Sequence, residues 1–220
     1  MVEFTLDTEH PISIPYEDVH LEGLLHIPHA VKAIVIFAHG SGSSRFSPRN
    51  QYIAKTLQES QFATLLFDLL TAEEDEIDSK TSQYRFDINF LASRLVAVTN
   101  FLEKNPVLKR LPVGYFGAST GGGAALVAAA QLAMLIKAVV SRGGRPDLAL
   151  ESLAYVRAPT LLIVGGWDET VITLNQKAYE EMHCIKKIEI VPGATHLFEE
   201  PGKLEEVARL ANAWFEQYLV

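Results

Sequence analysis

The chain has 220 residues, 48% hydrophobic and 21% charged, with a formal net charge of −8. That length and apolar share suit one large domain over residues 1–220 with a sizeable core, and they exclude a disordered chain. The acidic balance argues against nucleic acid and anionic membranes as partners. The single cysteine, Cys184, excludes an internal disulfide and a cysteine metal cluster.

The opening MVEFTLDTEH is acidic and lacks an apolar core, and no apolar run approaches about 18 residues. Neither a signal peptide nor a membrane span is expected, and a cytoplasmic location follows. HPISIPY and DVHLEGLLHIP read as two strands of a hairpin, the second alternating in polarity. KAIVIFAHG is a continuous apolar run, as in a buried parallel strand. SPRNQYIAKTLQES is a helix, with Ser47 as N-cap and Pro48 at its first position. QFATLLFDLL is a further buried strand. TAEEDEIDSKTSQY is polar and acidic and reads as a solvated loop. RFDINFLASRLVAVTNFLEKNP, with apolar spacings of three and four, reads as a long helix. Then come a strand in PVGYFG, a helix from Thr120 to about Leu135, a strand in IKAVVSRGG and a short helix in RPDLALESLAYV. APTLLIVGGWD is a strand, TLNQKAYEEMH a helix, KKIEIVPGATH the last strand, and GKLEEVARLANAWFEQYL the closing helix. Alternating strands and helices imply a mainly parallel sheet covered on both faces, with an antiparallel edge from the first hairpin. Ligands bind such sheets beyond the carboxyl ends of the strands.

Three strand-end loops there carry chemistry. Gly117-Ala118-Ser119-Thr120-Gly121 is a G-x-S-x-G match between strand and helix. Asp168 follows the strand in APTLLIVGG, and His196 follows the strand in KKIEIVPG. Serine, aspartate, histidine is the triad order of α/β-hydrolases and differs from the two other common serine-triad orders. An alcohol is a weak nucleophile at neutral pH; it needs a base within reach, and the base needs a third group to fix its tautomer. His196 fits as base and Asp168 as its orienting acid. The Thr120 N–H, at a helix N-terminus, fits as one donor to an oxyanion. A second should come from FAHGSGSS, where Gly40 and Gly42 let the backbone approach substrate.

From HGSGSS to GATHLFEEPG, nearly the whole chain resembles an α/β-hydrolase of the dienelactone hydrolase family. The resemblance implies a single-domain α/β-hydrolase with helices on both faces of the sheet, and it makes the Ser41 N–H the second oxyanion donor. The enzymes that give the family its name carry a cysteine nucleophile where this chain has Ser119, which points to a general serine esterase or lactonase. Between KAVVS and APTLLIV, where many relatives insert a lid, only a short segment stands, so an open site without a large lid is expected.

Blander roles compete for each residue. Ser119 could be a helix N-cap, Asp168 a cap for the helix after it with Glu169 as the alternative acid, and His196 a surface loop histidine. His39 reads as a brace for the loop after the third strand, and Cys184 as a small buried hydrophobe. GGGAALVAAA lacks the lysine and the register of a nucleotide loop. In SRGGRPD, Arg142 and Arg145 are candidates to bind an anionic substrate group, against ordinary pairing of Arg145 with Asp147 or Glu151. The expected activity is hydrolysis of a small ester or lactone with no metal or organic cofactor. A peptidase or acyltransferase on the same triad, or a non-catalytic binding member of the fold, is the alternative. Oligomeric state is left open.

Overall fold

The computed structural model describes residues 4–220. The eight strands read from the sequence form one sheet, β1 (Glu9–Tyr16), β2 (Val19–His26), β3 (Ala33–Ala38), β4 (Phe62–Phe67), β5 (Val113–Ala118), β6 (Ile136–Arg142), β7 (Thr160–Gly165) and β8 (Lys186–Val191). Their order is β1-β2-β4-β3-β5-β6-β7-β8. The first hairpin is antiparallel and joins antiparallel to β4, while every pairing from β4 to β8 is parallel. All residues of β3, β4, β5 and β7 are buried, as expected for strands covered on both faces.

Helices α1 (Pro48–Glu59) and α6 (Lys203–Tyr218) cover one face. There Ile53, Leu57, Val207 and Phe215 pack on Val35, Phe37 and Val140. The other face carries α3 (Ile88–Glu103), α4 (Thr120–Gln131) and α5 (Glu169–Glu181), with Leu91, Leu95, Leu126 and Met182 over Ile36 and Val139. The start of α1 is as read: the Ser47 side chain accepts from the Asn50 N–H and proline holds the first position. Helix α4 closes at Gln131, short of the expected Leu135. RPDLALESLAYV is a 3₁₀ segment, Pro146–Tyr155, interrupted at Leu150 (φ 47°), rather than an α-helix. It is all that bridges β6 and β7 apart from short loops, so no large lid covers the sheet's carboxyl edge.

One expectation fails. The polar segment after β4 is not a loop but helix α2 (Ala72–Thr81). Thr71 and Glu74 form a capping box, with Thr71 N–H donating to Glu74 Oε2 at 2.8 Å and Glu74 N–H to Thr71 Oγ1 at 3.3 Å. Glu73, Glu74 and Asp75 in the first turn and Lys80 in the last complement the helix dipole. Glu74 also leaves solvent to take two hydrogen bonds of 2.6 Å from Arg94, which is almost wholly buried on α3. The helix has no apolar stripe, so hydrophobic periodicity gave no sign of it.

Candidate active site

Ser119 stands between β5 and α4 with φ 51° and ψ −123°, a backbone region that costs a non-glycine residue about 1–3 kcal/mol. Packing enforces it. A Cβ on Gly117 would fall 2.6 Å from the Gly121 carbonyl oxygen, and one on Gly121 only 2.2 Å from that of Ala38. Only bare backbone lets strand and helix close this tightly. Three backbone bonds fix the apex: Ser119 N–H donates to Arg142 O at 3.2 Å, and Ser119 O accepts from Gly122 N–H at 2.9 Å and Arg145 N–H at 3.0 Å. The Ser119 side chain is half-buried and makes no hydrogen bond among the described residues.

The loops after β7 and β8 are tied to each other. Trp167 N–H donates to Ala194 O at 2.9 Å. Glu200 accepts from the Thr195 N–H at 3.1 Å and from its hydroxyl at 2.6 Å. Phe198 is fully buried at φ 58° and anchors the chain just past His196. The result is a hydrogen bond of 2.6 Å between His196 Nδ1 and Asp168 Oδ2. It leaves Nε2 as the outward ring nitrogen. Asp168 makes no capping bond to α5, so the capping role is not the one its side chain plays. A Cβ on Gly143, next to Arg142, would lie 3.5 Å from the His196 ring, and one on Gly40 would lie 3.0 Å from Ser119 Cβ. The β3, β5, β6 and β8 loops thus meet at one place. No Ser119–His196 hydrogen bond is formed; such bonds are often long without substrate.

Ser41 is exposed and its hydroxyl lies 3.0 Å from that of Thr120, which joins the loop after β3 to the start of α4. His39 braces this loop. Leu69 N–H donates to its Nε2 at 2.9 Å, so Nδ1 carries the proton and donates to Gly40 O at 2.9 Å. Beside the loop opens a cavity of about 620 Å³ whose walls include His39, Ser44, Asp68 and Asp75. A narrow recess lined by Ser41, Thr120 and Leu91 shares His39 and Asp75 with it.

The two candidate arginines part company. Arg145 places Nε and Nη2 on the Asp147 carboxylate at 2.8 and 2.7 Å. Arg142 is 6% exposed, and the one hydrogen bond its side chain makes among the described residues, from Nη2 to Asn50 Oδ1, is long at 3.3 Å. Burial, with Arg49 repelling it, pushes the Arg142 guanidinium down to about 10. Arg49 and Asn50 belong to no sequence motif, and nothing in the sequence marks them. Cys184 is half-buried, and burial raises its thiol above the ordinary value. Among the described residues no cluster of histidine, cysteine and carboxylate side chains has the geometry of a metal site, and no helix is long and apolar enough to cross a membrane.

A doubly wound sheet with a strained serine at the β5–α4 turn and a histidine–aspartate pair beyond β7 and β8 is an α/β-hydrolase. The chain belongs to the dienelactone hydrolase family, whose model matches residues 21–219. It is 58% identical to a dienelactone hydrolase from Anabaena variabilis of known crystal structure, covering 97% of this chain and 99% of that one with a TM-score of 0.95. Est1E from Butyrivibrio proteoclasticus shares the fold at a TM-score of 0.78 and 18% identity, over 94% of this chain and 98% of that one. In two strains of Mycobacterium tuberculosis, proteins named "Putative phosphoribosyl transferase" are 57% identical over 201 residues. That alignment takes in 91% of this chain but 44% of theirs, so the chain spans less than half the length of those relatives. Family and fold support a hydrolase.

Proposed function

We propose that the protein is a serine hydrolase that cleaves a small ester or lactone through an acyl-enzyme. The observation that carries this reading is the 2.6 Å His196–Asp168 hydrogen bond beside a serine held at positive φ. Ser119 Oγ attacks the acyl carbon and gives its proton to His196 Nε2. His196 returns that proton to the leaving alcohol, and Asp168 holds the Nδ1–H and stabilises the imidazolium. The Thr120 and Ser41 N–H groups receive the oxyanion. Water then enters and adds to the acyl carbon as His196 removes its proton; the bond from that carbon to Ser119 Oγ breaks, His196 returns the proton to Oγ, and the acid leaves. The chemistry assigned to these side chains calls for no metal or organic cofactor. The phosphoribosyl-transferase name belongs to proteins more than half of which lie outside the aligned part, whereas the hydrolase family model covers nearly all of this chain.

Fluorophosphonate labelling and hydrolysis of a series of p-nitrophenyl esters test the proposal. Intact protein should form a covalent adduct, and Ser119→Ala should not. Ser119→Ala should also lose activity by roughly a millionfold, down to the background left by binding and oxyanion donors. A variant that still turned over ester at the parental rate would overturn the assignment. Absence of labelling on folded, intact protein would favour a binding role for the fold.

A further inference from the structure

Arg142 ends β6, and its carbonyl holds the Ser119 N–H, while its side chain turns to the α1 face of the sheet and meets Asn50. A guanidinium has five N–H donors and normally finds a carboxylate when buried. Here no carboxylate pairs with Arg142 among the described residues; Nε has no partner at all, and the one bond made by Nη2 is 3.3 Å long. The charge that acts on it is another cation, Arg49. Arg49 Nη1 reaches Glu199 at 2.6 Å, but its own Nε is also buried without a partner. Arg49 lies within the first turn of α1 and Arg142 meets that turn at Asn50; the turn holds no acidic residue and its dipole adds positive potential. Two cations and a helix N-terminus thus face one exposed carboxylate, Glu199, which is 62% accessible. The arrangement is short of negative charge.

We propose that Arg142, Arg49 and Asn50 form an oxyanion-binding site on the α1 side of the serine turn that takes a phosphate or carboxylate group. The unpartnered Nε of each arginine and the free N–H groups of Arg142 donate to the anion's oxygens. The Asn50 side chain holds the Arg142 fork in place. Glu199, two-thirds exposed, keeps Arg49 at the mouth and yields when the anion enters. Arg145, closed off by Asp147, takes no part. The anion is either free or a charged group carried by the substrate, and the two sources share this chemistry.

The probe is inorganic phosphate, added at constant ionic strength against chloride, with binding read by calorimetry and by the shift in Tm. Because binding is read directly, the site stands or falls apart from the proposed ester hydrolysis. Phosphate should bind the parent protein and raise its Tm. Arg142→Met should bind about tenfold or more weakly, as expected for loss of hydrogen bonds to a charged group, and its Tm should not respond to phosphate. In chloride Arg142→Met should be no less stable than the parent, because it removes an unpaired buried charge. Arg49→Gln, at the accessible side, should also weaken binding and serves if Arg142→Met fails to fold. Arg110→Gln, exposed at the opposite end of the sheet, should bind as the parent does. Phosphate that competes with an acidic ester but not with its neutral analogue marks a substrate subsite; equal or no effect on the two marks a site for a free anion. No binding, or equal binding by parent, Arg142→Met and Arg49→Gln, overturns the proposal.

Discussion

At Ser119 one strained residue rests on two neighbours without side chains, and the sign of a substitution there runs against ordinary helix preference. Gly121 lies in the first turn of α4, where alanine would usually gain at most about 1 kcal/mol over glycine. Its Cβ would meet the Ala38 and His39 carbonyl oxygens at 2.2 and 2.4 Å, and both belong to backbone that cannot step aside. Gly121→Ala should therefore lower Tm and displace the loop that carries Ser41; an unchanged or raised Tm would show that the turn has slack. These residues were legible because the chemistry restricts them: a tight serine turn needs glycine at fixed offsets, and an acid and a base at later strand ends follow a set order. Arg142 was legible only as a candidate, and Arg49 not at all. What marks them is a buried Nε without a partner on each, and pairing is decided by tertiary packing rather than by local sequence.

Among the elements, the strands announced themselves through unbroken apolar runs such as AIVIFA and FATLLF, which only a sheet covered on both faces accommodates. Helix α2 did not, because its stabilisation is polar. Thr71 caps it, and Glu74 serves both the cap and the buried Arg94. Burial alone would raise the Glu74 carboxyl, but hydrogen bonds from Arg94 and Thr71 outweigh it and bring the group below its usual range. The consequence is a steep ranking along one acidic run. Thr71→Ala should cost about 1 kcal/mol for the lost cap. Glu74→Ala should cost more, toward the lower end of about 3–5 kcal/mol, because it strands the Arg94 charge while some solvent remains nearby. Glu73→Ala, exposed one residue away, should stay within about 0.5 kcal/mol. Urea denaturation of the three variants checks the order, and equal effects at Glu73 and Glu74 would return the segment to the solvated run that its composition suggests.

For the whole molecule, the response of stability to pH follows from histidines kept neutral inside the fold. His39 is buried beneath the loop after β3. Burial is the largest influence on it and pushes it below its ordinary 6.5, outweighing the Gly40 hydrogen bond and the Asp68 and Asp75 charges that favour the cation. His26 on β2 is lowered in the same way, burial outweighing Asp7 and Glu9. In the unfolded chain both take up a proton near 6.5, whereas in the folded chain they do so only at lower pH. Below 6.5 the unfolded state therefore binds more protons, so stability is complete above that value and falls as pH drops toward the folded values. The loss from His39 begins near pH 6.5 and grows as pH falls toward 5.5. Glu74 acts in the same direction but only below its ordinary 4.5, outside that window. His39→Gln gives up the bonds to Leu69 and Gly40, so it should be less stable throughout, yet its denaturation midpoint should fall less between about pH 7.5 and 5.5 than that of the parent. Parallel pH dependence in the two proteins would mean that His39 is not the neutral imidazole that its two hydrogen bonds require.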